Sequence, residues 1–181
     1  LGDRVMRLEF DAGAETNPIP LENVPIEIMP MICFEDTVGR LVRKFVRDAP
    51  QLMVNVTNDG WFGDTEAAAQ HLANAQFRCI ELRRPMVRST NNGVSAVIDE
   101  IGSLYDRRKD GAAGPRIIAD PETGQTFIRG FMMETIAVPN KPRKTFYARF
   151  GDMFAVVCLF VAGGFAVGRG IRGRLLFRTG H

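Results

Sequence analysis

Cys33 is the side chain best placed for chemistry. It stands in Pro30-Met31-Ile32-Cys33-Phe34-Glu35-Asp36, where an apolar run breaks into polar sequence. The preceding Ile26-Glu27-Ile28-Met29 alternates like a strand entering a core, and Asp36-Thr37 are placed to cap a helix carrying Val38, Leu41, Val42, Phe45 and Val46. A thiol there lies close to a helix N-terminus, whose dipole and free N–H groups favour a thiolate and a developing oxyanion. The bland alternative is a small buried hydrophobe, so the neighbourhood has to decide.

Downstream, Val54-Asn55-Val56-Thr57-Asn58-Asp59-Gly60-Trp61-Phe62-Gly63 is an apolar strand running into a polar, glycine-bounded turn that holds the single tryptophan. Trp61 and Phe62 are candidates to receive an apolar substrate, or else they pin the loop to the core. Asn58 and Asp59 are able to supply turn hydrogen bonds alone. His71 fits a catalytic base in a Cys-His enzyme, but a structural hydrogen bond is the better reading. Arg88-Ser89 end a strand, and Asn91-Asn92-Gly93 has the chemistry of a hairpin turn. Cys79 follows Leu72 and Ala75 and precedes Leu82 at helical spacing, which assigns it to packing.

The elements that must position these groups alternate between β and α. Strands are expected at about 26–32, 52–56, 85–89, 94–98 and 131–138, and helices at about 37–47 and 66–84, the second capped by Asp64 or Thr65. That order predicts an α/β sheet with a hairpin at Asn91-Asn92-Gly93. The stretch from Gly102 to Gln125 reads as an exposed loop or irregular hairpin.

Composition excludes several classes. The 181 residues carry a formal net charge of +2 with no uninterrupted basic run, so nucleic acid is not an expected partner. Three cysteines without ligand spacing and two histidines indicate neither a disulfide scaffold nor a metal site. From Met153 to Gly168 the chain is uncharged, and Arg169, Arg172, Arg174 and Arg178 follow. The segment is the candidate membrane helix, although it is shorter than the roughly 20 residues usually needed to span a bilayer. Small residues at Gly163, Gly164 and Gly168 would let another helix approach. Lys141, Arg143, Lys144 and Arg149 precede it, so charge does not orient it.

Taken together and in order, MICFED, VNVTNDGWFG, QHL, RRPMVRSTNNGVSAVID and FYARFGD resemble the C-terminal half of the bacterial apolipoprotein N-acyltransferase family, a membrane-bound branch of the nitrilase superfamily. The resemblance covers roughly Pro30 to Gly151. It implies the C-terminal half of a nitrilase-like α-β-β-α sandwich over residues 1–150, then a transmembrane helix and a basic cytoplasmic tail over 151–181. It also implies a fragment, since the first residue reads like the middle of a domain.

The implied reaction moves an acyl chain from a phospholipid donor, through a Cys33 thioester, to the amino terminus of a diacylglyceryl apolipoprotein at the bacterial inner membrane. The catalytic domain would face the periplasm, with no metal and no organic cofactor. Cys33 is the implied nucleophile and Glu35 the acid of the family's Cys-aromatic-Glu motif; Trp61, Phe62 and Asn58 are the implied substrate-binding residues. Phe34 replaces the tyrosine often found there, keeping aromatic packing and losing a hydroxyl. The family's catalytic Glu and Lys map upstream of Leu1, so the fragment alone is expected to be inactive. Glu9, Glu15, Glu22 and Lys44 are substitutes by type only, and a solvated face suits each better. Two rivals are a soluble nitrilase-like amidase acting on a small carbon-nitrogen substrate, and an inactive membrane-tethered remnant.

Overall fold

The computed structural model describes residues 15–63, 65–106 and 114–178, with helix backbone alone from 170 onward. Five strands form one sheet in chain order: β1 (Ile19–Pro20), β2 (Glu27–Ile32), β3 (Gln51–Thr57), β4 (Met86–Thr90) and β5 (Ala96–Ile98). The central three are parallel, and the outer pairs β1–β2 and β4–β5 are antiparallel. The α/β expectation is met, as is the hairpin, where Gly93 adopts φ 108°. That backbone conformation suits glycine because a Cβ there would be strained.

The pleat sorts the central strands by phase. Met29, Met53 and Met86 are register partners on one face, and two residues further along Met31, Asn55 and Arg88 form the next row. All six are buried. Helix α2 (Ala67–Leu82) covers this face with Leu72, Ala75, Cys79 and Leu82, the four positions that its spacing predicts. On the opposite face Ile28, Pro30, Leu52 and Val54 are only half-buried, and Ile32 and Val56 are exposed.

Arg84 closes one end of this packing. Its fully buried guanidinium donates to the Leu82, Arg83 and Arg47 carbonyls at 3.0, 3.3 and 2.8 Å and to Gln51 Oε1 at 3.3 Å. It thereby satisfies the terminal carbonyls of α2 and ties them to the start of β3. Burial pulls its pKa down to about 10, against the opposing pull of Asp48. Thr65 Oγ1 accepts from the Ala67 N–H at 3.4 Å near the other end of α2. Asp64, the alternative cap, lies outside the described residues.

Three expectations need correction. The helix expected over 37–47 is broken into a 3-10 turn at Cys33–Thr37, a single turn α1 (Gly39–Val42) and a second 3-10 turn at Arg43–Phe45. Asp36 does not cap it, because its carboxylate is buried and engaged elsewhere. The segment 131–138 alternates in exposure as a strand would but belongs to no strand of the described sheet, and Phe131 and Met133 face outward. Period-two patterning sorts side chains between two faces without supplying a neighbour to pair with.

The third correction concerns the membrane helix. Helix α4 runs from Met153 to Arg178, and its apolar side chains from Phe154 to Val167 are exposed all round. At 1.5 Å per residue, its uncharged part reaches about 24 Å, short of a hydrocarbon core of about 30 Å. Among the described residues no helix is long and apolar enough to cross a membrane. The arginines after Arg169 fall where side chains are not described. The loop expected over Gly102–Gln125 is irregular where described, with one bridge from Ile117 to Ala96, and 107–113 lie outside the described residues.

Met53 sits at the centre of the core. Met53→Ala should lower the unfolding free energy of the complete protein by about 2–5 kcal/mol, read from chemical denaturation.

Candidate active site

The three parallel strands run side by side, and each carries a residue of the site at or just beyond its carboxyl half. β2 delivers Cys33, which takes φ 53°, a left-handed conformation costly for a residue with a Cβ. Such strain persists where the surroundings over-determine it, and three clamps do so here. Glu35 Oε2 accepts from the Ile32 N–H at 2.7 Å, closing the bend across Cys33. Asn55 Nδ2 donates to the Cys33 carbonyl at 3.2 Å, and Thr37 Oγ1 donates to the Phe34 carbonyl at 2.7 Å. Cys33 as a residue is half-buried.

Beneath the bend lies a closed ring of charged groups. Asp36 Oδ1 and Asp59 Oδ1 lie 2.9 Å from His71 Nε2 and Nδ1 respectively. Their second oxygens receive the Arg88 guanidinium, Nη1 at 2.5 Å from Asp36 and Nη2 at 3.0 Å from Asp59. Asn55 Nδ2 also donates to Asp36 Oδ2 at 2.5 Å, and Thr57 Oγ1 to Asp59 Oδ1 at 3.1 Å. Each carboxylate therefore bridges the same histidine and the same arginine. All four side chains, Asp36, Asp59, His71 and Arg88, are buried.

Burial alone would pull the His71 pKa down. The hydrogen bond and charge of Asp36, with the hydrogen bond to Asp59, outweigh burial and Arg88 together and leave it above 6.5. Phe34 stacks on the His71 ring at 4.9 Å and 18°, and Phe62 meets both rings edge-on at 5.7 and 6.0 Å. Trp61 is 85 % exposed beside Phe62, while Ile32 and Phe34, the neighbours of Cys33, are 67 % and 53 % exposed. The surface around the thiol is thus apolar and open.

Of the residues singled out from sequence, Glu35 is hydrogen-bonded to the backbone beside Cys33, and Phe62 packs on Phe34 and His71. Asn58 is occupied locally, its Oδ1 accepting from the Gly60 N–H at 3.1 Å and from Asn91 Nδ2 at 3.4 Å. Cys79 is fully buried on α2, and burial pushes its thiol well up, so it is a packing residue. Glu15, Glu22 and Lys44 are exposed, as a solvated face requires, and Glu9 lies outside the described residues. Sequence reasoning missed the partnership of Asp36, Asp59 and Arg88. One signal was present: Arg88 is two residues from Met86 and so shares its buried face, where a charge demands a partner.

Chemically, the arrangement presents one strained thiol over a fixed electrostatic base, inside an apolar rim. Among the described residues there is no cluster of side chains able to hold a metal ion.

Comparison with known proteins gives a consistent picture. Residues 10–120 match the carbon-nitrogen hydrolase family. The chain is 36 % identical over 138 residues to apolipoprotein N-acyltransferase 2 of Leptospira interrogans serogroup Icterohaemorrhagiae, covering 76 % of this chain and 21 % of the relative. It is 35 % identical over 170 residues to the apolipoprotein N-acyltransferase of Bradyrhizobium diazoefficiens, covering 91 % and 27 %. With apolipoprotein N-acyltransferase 1 of Treponema denticola it shares 31 % over 152 residues, covering 84 % and 25 %. The chain thus spans about a quarter of the length of the curated relatives it matches.

Arg88→Leu leaves two buried carboxylates facing His71 alone. It should destabilise the complete protein by about 3–5 kcal/mol, measured by denaturant titration. Gly93→Ala should also destabilise, because the new Cβ would lie 2.7 Å from Asp59 Oδ2 in a backbone conformation hostile to alanine.

Proposed function

The chain belongs to the carbon-nitrogen hydrolase family, and from that premise we propose that it is the nucleophile-bearing part of an apolipoprotein N-acyltransferase. The observation that carries this reading is Cys33 at φ 53°, clamped on a strand-end bend between the exposed apolar side chains of Ile32 and Phe34. A nucleophile must project from its backbone toward substrate, and the bend does so at a conformational cost that packing residues do not need.

In the first step the Cys33 sulfur attacks the carbonyl carbon of a phospholipid acyl ester. A carbon-sulfur bond forms, the ester carbon-oxygen bond breaks, and the lysophospholipid leaves with the proton given up by the thiol. In the second step the free α-amine of an S-diacylglyceryl cysteine attacks the thioester. A carbon-nitrogen bond forms, the carbon-sulfur bond breaks, and the sulfur regains the proton lost by the amine. Both steps pass through an oxyanion, for which preorganised donors are the main source of acceleration. By resemblance, a glutamate that moves protons and a lysine that stabilises charge come from sequence preceding this chain. By the same resemblance a second sheet covers the half-buried face of β2, β3 and β4, completing a four-layer sandwich.

In this reading Glu35 orders the bend through the Ile32 N–H, and Trp61 and Phe62 offer apolar surface to the acyl chain, with Asn58 shaping their turn. Helix α4 supports a membrane setting, because its exposed Phe154, Leu159, Phe160 and Phe165 would be solvated by lipid at no hydrophobic cost. The docking of its root fits as well. Thr145 caps α3 (Phe146–Phe150), accepting from the Ala148 N–H at 3.0 Å and donating to the Glu81 carbonyl, and Gly151 turns the chain into α4 at φ 61°. The FYARFGD motif thereby fixes the apolar helix to the body that carries Cys33. In this reading the apolar surface of α4 meets the bacterial inner membrane, and the resemblance implies the periplasmic side for the Cys33 domain. A soluble amidase leaves the apolar surface of α4 without a role.

In the complete gene product, Cys33→Ser should abolish the acyl-enzyme detected by mass spectrometry while leaving protein abundance nearly unchanged. Normal acyl transfer by that variant would refute the assignment.

A further inference from the structure

His71 contacts a carboxylate through each of its two ring nitrogens, at the same 2.9 Å. A neutral imidazole has one N–H and one lone pair, so it satisfies one such contact and sets a lone pair against a carboxylate at the other. The ring also contains Arg88, which donates to both acids. Two carboxylates, one guanidinium and one imidazolium sum to zero, whereas a neutral histidine would leave a net negative charge out of water.

We propose that His71 is held as an imidazolium donating to Asp36 and Asp59 at once, and that this doubly bridged ring is the positioning device for the Cys33 bend. The inference rests on the reading of Cys33 as nucleophile. His71 is a positioning residue rather than the base, since both of its nitrogens are already engaged.

The ring reaches the bend by three routes. Asp36 lies in the 3-10 turn that Cys33 begins. Asn55 links Asp36 to the Cys33 carbonyl through one amide nitrogen. Phe34, next to Cys33, lies flat on the imidazolium, where its π face attracts the cation. Removing the proton would break one carboxylate contact and weaken the stacking, and would loosen the strained bend from below.

The groups facing His71 are Asp36 from the Cys33 turn, Asp59 from the turn after β3 and Arg88 from β4, with Phe34 and Phe62 against the ring. A folded pKa raised above 6.5 gives stabilisation that is complete below 6.5 and is lost as pH rises through the folded value. The bend should therefore be fully ordered below pH 6.5 and slacken as pH rises through the folded value.

The test uses the complete enzyme in detergent with ¹⁵N-histidine, the His71 signals being assigned by their loss in His71→Gln. Both His71 nitrogens are expected to be protonated at neutral pH. Acylation of Cys33 by phospholipid should show an alkaline limb that moves to lower pH in Asp59→Asn, which removes one of the two charges while keeping its shape. In folded His71→Gln the acylation rate should fall by about 10²-fold at unchanged KM, the effect of misplacing a reacting group by about 1 Å. An unprotonated His71 nitrogen at neutral pH in the wild type would overturn the inference however acyl transfer behaves. An unmoved limb in Asp59→Asn would overturn it too. An acyl adduct on a side chain other than Cys33 would instead sink the assignment of the nucleophile, with the nitrogen signals still deciding the state of His71.

Discussion

A carboxylate buried three residues after the thiol is the constraint on which the rest of the structure depends. Asp36 is withdrawn from water, so it must be matched by opposite charge and by donors. Its partners come from α2, β3 and β4, which therefore have to meet under one short turn. Asp59 repeats the demand from the turn after β3, and the same histidine and arginine answer both. A network of this kind adds little net stability over an apolar core, because desolvation offsets much of its attraction. What it supplies is geometry, since each member has a single arrangement that satisfies all the others.

That geometry matters because Cys33 is strained. Left-handed backbone at a residue with a Cβ relaxes unless both flanks are held, and the flanks here are held by Glu35, Asn55 and Thr37. The parallel sheet makes the assembly possible. Three strands running the same way bring their carboxyl ends to one edge, so residues far apart in sequence emerge together. Arg84 fixes the opposite end of the packing, and the rigid body between the two clamps carries the site.

A second division runs between this polar interior and the apolar exterior. Ile32 and Phe34 flank Cys33 in the chain and are exposed, as is Trp61, and α4 exposes apolar side chains from Phe154 to Val167. Contiguous exposed apolar surface is uncommon on monomeric soluble proteins. The turn at Gly151 and the docking of α3 on the end of α2 hold the two apolar surfaces to one body.

Much of this was written in the chain. The alternation of 26–32 and 52–56, the helical spacing of Leu72, Ala75, Cys79 and Leu82, and the Asn91-Asn92-Gly93 turn each encode a local preference, and each produced its element. The bend at Cys33 was legible because it leaves a mark in its own segment, a strand breaking into polar sequence. The segment 131–138 and the helix over 37–47 were misread for a common reason. Local pattern states what a segment prefers, while ladder partners and buried ion pairs are supplied by distant residues. The charge ring lies wholly on that second side: Asp36, Asp59, His71 and Arg88 span four elements and share no spacing, so only the parallel stacking of β2, β3 and β4 under α2 decided that they would meet. The sequence by itself determined the three parallel strands, helix α2 and the place of the thiol, because these follow from neighbours along the chain; the tertiary structure alone decided how that thiol is held, because compensation of buried charge acts through space.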